Sequence, residues 1–233
     1  MTPKTENLIL GIILDMDGVI IDSNPYHKIA WTNFFNKRNV EVNDLIFRDL
    51  IFGTSGGEAI STLLNCQFSK DELTAFCEEI DADYRRIVSE SVHIEPVSGL
   101  IPFLETAVYE KHKIAIATSA PTRNVDLILQ KLNLRNYFDL IIDKSLIING
   151  KPDPEIYLKA VQGLGIVKEN CVVFEDSISG IGSARNAGLI VIGLTTSHLR
   201  DELFSAGVCR CINDFTEITI EQLKNLILTS ATI

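Results

Sequence analysis

Residues 8–19 read Leu8-Ile9-Leu10-Gly11-Ile12-Ile13-Leu14-Asp15-Met16-Asp17-Gly18-Val19, an apolar run that stops abruptly at two carboxylates and a glycine. A continuous apolar run followed by a turn signal is the pattern of a strand covered on both faces. Charge at the end of such a strand is costly to ionise unless a cation or a proton-transfer role offsets it. Asp15 and Asp17 are therefore candidates for metal binding or catalysis.

Working outward, apolar stretches recur between helical patterns. Leu8–Leu14, Lys113–Thr118, Leu140–Asp143, Cys171–Phe174 and Ile190–Leu194 are the expected strands. Pro121 opens a helix to about Leu132, Pro154 another towards Leu164, and Ser177 a third ending at Gly188; Ile220–Leu228 reads as a closing amphipathic helix. This alternation predicts an α/β protein with a Rossmann-like, mostly parallel, doubly wound sheet. It lapses from about Pro25 to His93, where Ile29, Phe34 and Phe35, then Leu73, Phe76, Ile80 and Tyr84, recur at helical spacing. The expectation is an inserted α-helical cap domain over 23–95, with 1–22 and 96–233 forming the catalytic core. Gly53-Thr54-Ser55-Gly56-Gly57 reads as a loop capping a helix that begins near Glu58.

Composition narrows the partners. The chain of 233 residues is 46% hydrophobic, enough for a substantial core. Its 31 acidic residues against 21 basic ones disfavour nucleic acid and anionic membranes. An anionic substrate then needs local positive charge from a metal, a lysine or helix N-termini. No stretch approaches the roughly 20 apolar residues of a membrane span, and the early run ends in Asp15 and Asp17, unlike a signal peptide. A cytoplasmic protein, monomeric or weakly dimeric, is expected. Cys66, Cys77, Cys171, Cys209 and Cys211 show neither zinc spacing nor a disulfide framework. They read as core or incidental thiols, with Cys209 and Cys211 expected on one face of a strand.

Four clusters fall at the carboxyl ends of the expected strands, where open α/β sheets bind ligands. Alone, Asp17-Gly18 could be a turn, Thr118-Ser119 a helix start and Lys151-Pro152-Asp153-Pro154 a rigid loop. Glu175-Asp176-Ser177 is harder to explain so, because a helix cap needs only one of the two acids. Together they compose a phosphoryl-transfer site. Asp15 is expected to attack phosphorus and form an aspartyl-phosphate, and Asp17 to protonate the leaving alkoxide and then deprotonate water. Asp15, Asp17 (through its main-chain carbonyl), Glu175 and Asp176 are the candidate ligands of Mg²⁺, which takes hard oxygen donors. Thr118 is expected to hydrogen-bond a phosphoryl oxygen, with Ser119 beside it, and Lys151 to balance the charge of nucleophile and phosphate.

The motifs Asp15-Met16-Asp17-Gly18-Val19-Ile20-Ile21-Asp22-Ser23, Ala117-Thr118-Ser119, Gly150-Lys151-Pro152-Asp153-Pro154 and Phe174-Glu175-Asp176-Ser177, in this order, resemble the haloacid dehalogenase superfamily. The likeness is to its phosphatase and phosphomutase branch with a helical cap. Asp17 argues against the dehalogenases themselves, which lack this second aspartate; the phosphonate-cleaving branch fits the first motif no better.

Asp22-Ser23-x-Pro25-x-His27-x-x-Ala30-Trp31 further resembles the segment after the nucleophile in β-phosphoglucomutase and related sugar-phosphate phosphatases. The resemblance implies that His27 couples cap closure to the general acid/base; a helix-face histidine near the hinge is the other reading. His93, His112 and His198 read as surface or structural. The mutase cap loop carries an Arg for the substrate's second phosphate, and Gly56 stands at that place here, a loss of bidentate charge that glycine cannot replace. Hydrolysis of a small phosphorylated metabolite, a sugar or polyol phosphate, is thus expected ahead of a phosphomutase or a non-catalytic phosphate-binding protein. Thr54, Ser55 and Glu58 are the candidate cap contacts to substrate.

Overall fold

The structure, a computed structural model, describes residues 8–51 and 56–230. Strand β1 (Gly11–Leu14) leads into a helical segment: α1 (Asn24–Asn36), the short α2 (Asp44–Ile46) continued by a π-helical turn (Phe47–Ile51), α3 (Gly56–Leu63) and α4 (Lys70–Glu90). There follow α5 (Leu100–Tyr109), β2 (Lys113–Ala117), α6 (Thr122–Leu132), β3 (Leu140–Ile142), α7 (Glu155–Leu164), β4 (Cys171–Glu175), α8 (Ile178–Asn186), β5 (Ile190–Leu194), α9 (Arg200–Ala206), β6 (Arg210–Ile212) and α10 (Ile220–Ser230). Contacts divide the chain into two units, Met1–Asp22 with Glu95–Ile233, and Ser23–Ile94.

The first unit is built on a six-stranded sheet, all parallel, in the order β3-β2-β1-β4-β5-β6. Both faces of the sheet are covered, which explains the unbroken apolar runs. On one face Ile13, Ala115, Ala117, Val173 and Val191 pack with Ile156, Tyr157 and Ala160 of α7 and Ile181 and Ala184 of α8. Alternation sends Phe174 to the other face, where it meets Phe103 of α5 at 5.5 Å and Phe215 at 5.2 Å.

Several strand ends differ from expectation for identifiable reasons. β1 begins at Gly11 because the Leu10 N–H is taken by the buried His112 Nδ1 at 3.1 Å. Asp143 leaves β3 to cap a 3-10 turn, accepting from the Ser145 N–H at 2.8 Å. β4 runs one residue further, so that Glu175 is itself paired, opposite Gly193. β6, α5 and α9 add to the elements expected from sequence. Cys209 precedes β6 and is exposed while Cys211 is buried, so the two thiols do not share a face. Pro121 and Pro154 stand at the N-caps of α6 and α7, one position before the first turn.

In the helical unit, α4 opens with a capping box between Ser69 and Glu72. α1 and α4 are joined by Asn33 donating to Asp83 at 2.8 Å and by Arg38, whose guanidinium lies 3.6 Å from the Phe34 ring centre and pairs with Glu79 at 2.8 Å. α3 starts at Gly56, earlier than Glu58, so Gly56 and Gly57 are helical. Thr54 and Ser55 lie outside the described residues.

Candidate active site

The strand order reverses at β1. The chain steps outward from β1 through β2 to β3, then returns to β4 on the other side of β1. Ligand sites of open parallel sheets form at such a point, beyond the carboxyl ends of the strands. Register makes the consequence local: Leu14 pairs with Phe174 on one side and Ile116 on the other. Asp15 thus emerges beside Glu175, with its N–H on the Phe174 carbonyl at 3.0 Å, and Thr118 leaves β2 on the opposite flank.

Lys151 joins these segments. Its Nζ lies 2.8 Å from Asp15 Oδ1, 2.5 Å from Glu175 Oε1 and 3.2 Å from the Ala117 carbonyl. The loop that carries it is held at α8, where Asn186 Nδ2 donates to the Pro152 carbonyl at 3.0 Å and Ser183 Oγ to the Asp153 carbonyl at 2.6 Å. Burial works against the Lys151 charge, but Asp15 and Glu175 raise its pKa above the usual lysine range.

Glu175 is completely buried. Its Oε1 accepts from Lys151 and, at 2.7 Å, from the Tyr157 hydroxyl; its Oε2 accepts from the Asp176 N–H, the Ser177 N–H and the Ser177 hydroxyl, each at 3.0 Å. Burial opposes its ionisation, yet Lys151 and these donors hold its pKa below the ordinary glutamate value. Gly180 makes room for it, since a Cβ there would overlap the Glu175 carboxylate.

Asp15 and Asp176 are compensated less, Asp15 by Lys151 and Asp176 by the Ser197 hydroxyl. Burial pushes the Asp15 carboxyl up to about 7, with Glu175 and Asp17 adding to the rise and Lys151 opposing it. Asp176 is pushed well above the aspartate range by burial, then by Glu175 and Asp15. Asp15, Glu175 and Asp176 each present one carboxylate oxygen, all within 4.8 Å of one another. Such a buried set of hard oxygen donors fits a small divalent cation. Glu175, already holding five donors, is the least available of the three for direct contact.

The other expected site residues divide. Asp17 is half-buried outside that carboxylate group, its backbone in a bridge with Ile21. Thr118 is buried, its Oγ1 accepting from the Ala120 N–H at 3.2 Å, whereas Ser119 is exposed. His27 stacks on Tyr84 of the helical unit, ring centres 4.1 Å apart, and Glu58 is exposed.

Sequence reading missed several residues around the carboxylates. Tyr157 falls on the sheet-facing side of α7 and Gly180 in the first turn of α8; neither looked different from core. After β5, Thr196 Oγ1 donates to the Gly18 carbonyl at 2.6 Å, Ser197 Oγ makes a very short hydrogen bond to Asp176 Oδ2, and His198 Nδ1 lies 3.0 Å from the Asp176 main-chain oxygen. His198, expected to be surface or structural, has a structural contact here, to the main chain of Asp176. Only the parallel pairing of β4 and β5 could have brought this loop to notice.

Residues 12–194 match the haloacid dehalogenase-like hydrolase family. A phosphorylated carbohydrates phosphatase of Thermotoga maritima is 35% identical over 77% of this chain and 82% of its own length. The β-phosphoglucomutase of Bacillus subtilis is 28% identical over 79% of this chain and 82% of its own. The crystal structure of a HAD hydrolase of family IA, variant 3, from Entamoeba histolytica superposes with a TM-score of 0.88 at 33% identity, covering 94% of this chain and all (100%) of that one.

Proposed function

The chain belongs to the haloacid dehalogenase-like hydrolase family and is a phosphatase-type hydrolase; from that premise we propose that it hydrolyses a small sugar or polyol phosphate, with Mg²⁺, through an aspartyl-phosphate on Asp15. The observation that carries this reading is the Lys151–Asp15 ion pair of 2.8 Å at the point where the strand order reverses.

Asp15 supplies the nucleophilic oxygen. As its bond to phosphorus forms, the bond from phosphorus to the leaving oxygen breaks, and Asp17 gives its proton to that oxygen. Asp17 then takes a proton from water, whose oxygen attacks phosphorus and returns the Asp15 carboxylate with release of inorganic phosphate. Lys151 favours the ionised nucleophile against the cost of burial and balances the phosphoryl charge. The Thr118 hydroxyl donates to a phosphoryl oxygen. Mg²⁺, when held by Asp15, Asp176 and the Asp17 main-chain carbonyl, would offset repulsion between the carboxylate and the phosphoryl oxygens. The helical unit is assigned the choice among esters, because the core treats all monoesters alike.

The isomerase reading rests on the Bacillus subtilis relative. Gly56 speaks against it: a Cβ there would come to 3.3 Å from Cys77 Sγ and 3.6 Å from Trp31, within the packing of the helical unit. No cation for a second phosphate comes from that position. A screen of phosphate release from monoesters with Mg²⁺, beside an isomerisation assay on glucose 1-phosphate, separates the alternatives. Release by the wild type and none by Asp15→Asn is expected. Quantitative isomerisation would favour the mutase, and silence across the panel a phosphate-binding protein.

A further inference from the structure

The carboxylate of Asp176 is held by a loop that belongs to none of the four sequence motifs. Its Oδ2 faces Gly18 so closely that a Cβ at position 18 would overlap it, and Ser197 Oγ hydrogen-bonds the same oxygen. Gly18, with φ of +76°, adopts a backbone conformation that also favours glycine. The Ser197 hydroxyl is the donor in that bond and the carboxylate oxygen the acceptor.

Thr196 Oγ1 has one proton and two acceptors in view, the Gly18 carbonyl at 2.6 Å and Asp176 Oδ2 at 3.4 Å. The nearer acceptor takes it, since hydrogen bonds weaken steeply with distance. His198 Nδ1 faces the Asp176 main-chain oxygen and therefore carries its proton there. One short loop thus grips the main chain of Asp176, one oxygen of its carboxylate and the turn that follows Asp15. Among the described residues no hydrogen bond reaches the other oxygen, Oδ1.

We propose that Ser197 and Thr196 are positioning residues of the divalent-cation site: they fix the rotation of the Asp176 carboxylate and its place relative to the Asp15–Gly18 turn. This rests on Asp176 being a metal ligand, as read above. Fixing one oxygen leaves the other oriented for the cation without loss of side-chain freedom on binding, the same logic by which groups behind metal ligands raise affinity elsewhere.

The test is Mg²⁺ binding by calorimetry to the metal-free, full-length protein, with no substrate present. Ser197→Ala is expected to weaken Mg²⁺ binding by about 10–100-fold, Thr196→Val to weaken it in the same direction, and Ser197→Thr, which keeps the hydroxyl, to restore it. In an Asp176→Asn background, Ser197→Ala should have no further effect on binding. Metal-free melting curves of Ser197→Ala matching the wild type would separate positioning from damage to the fold. Equal Mg²⁺ affinity of Ser197→Ala and wild type overturns the proposal, as does a loss of metal-free stability that accounts for the whole change. A wild type that binds no Mg²⁺ overturns it together with the metal reading, while phosphatase failure with intact Mg²⁺ binding touches only the function proposed above.

Discussion

Replacing Tyr157 with Phe removes a single hydroxyl from the interior of the core. That hydroxyl donates to Glu175 Oε1 at 2.7 Å, and burial followed by the Glu175 charge keeps it protonated, with a pKa well above the phenol range. A hydrogen bond to a charged acceptor contributes about 1.5–3 kcal/mol. Lys151 stays on the same oxygen at 2.5 Å, so Glu175 is not stranded and the larger cost of an unpaired buried charge does not apply. For a chain of this size the loss corresponds to a fall in Tm of roughly 3–12 °C. Calorimetry or far-UV circular dichroism of the metal-free protein should read it, because the only tryptophan, Trp31, lies in the helical unit and would report on the wrong part. A cycle with Glu175→Gln isolates the pair and should give a coupling of about 0.5–3 kcal/mol. A Tyr157→Phe protein within about 0.5 kcal/mol of wild type would show that Glu175 holds Lys151 unaided and would refute the reasoning.

Lys151→Met leaves Asp15 and Glu175 buried without their cation and should cost about 3–5 kcal/mol in denaturant unfolding without metal; a wild-type midpoint would contradict that. Gly18→Ala should cost about 1–2 kcal/mol for the left-handed backbone alone and should also depress phosphate release, because the new methyl group displaces Asp176; a crystal structure of the variant with Asp176 unmoved would sink this. His112 has its pKa pulled below 6.5 by burial, then by Lys224, so the unfolded chain takes up the proton first. Its contribution is full above about pH 6.5 and is lost as pH falls through the folded-state value. Between pH 7 and 5 the wild type should therefore lose more stability than His112→Asn, and parallel curves in that window would count against the assignment.

Continuous apolar runs made β1, β2, β4 and β5 legible, and charge at the ends of β1 and β4 marked Asp15, Glu175 and Asp176, because ionisable groups beside buried strands stand out against the apolar background. Lys151, in the loop between β3 and α7, was legible only through its Gly150–Pro154 motif. What escaped notice was short or generic. β6 is three residues with an arginine among them, and α5 carries Pro102 in its first turn within a broadly apolar stretch. Tyr157 and Gly180 look like core residues until the Glu175 side chain is seen between them. Thr196, Ser197 and His198 form no motif; strand pairing alone brings them to Asp176. The Cys209–Cys211 expectation failed because alternation applies only inside a strand, and Cys209 lies before one.

The proposed chemistry makes Asp15, beside Lys151 and the Glu175–Asp176 pair, the residue that bonds to phosphorus. It is tested most directly by acid-quenching the protein during turnover of a reactive small donor such as acetyl phosphate and mapping the phosphoryl adduct by peptide mass spectrometry. The account predicts one adduct, on Asp15, that accumulates in Asp17→Asn and is absent from Asp15→Asn. An adduct on any other residue, or unchanged labelling in Asp15→Asn, would contradict it.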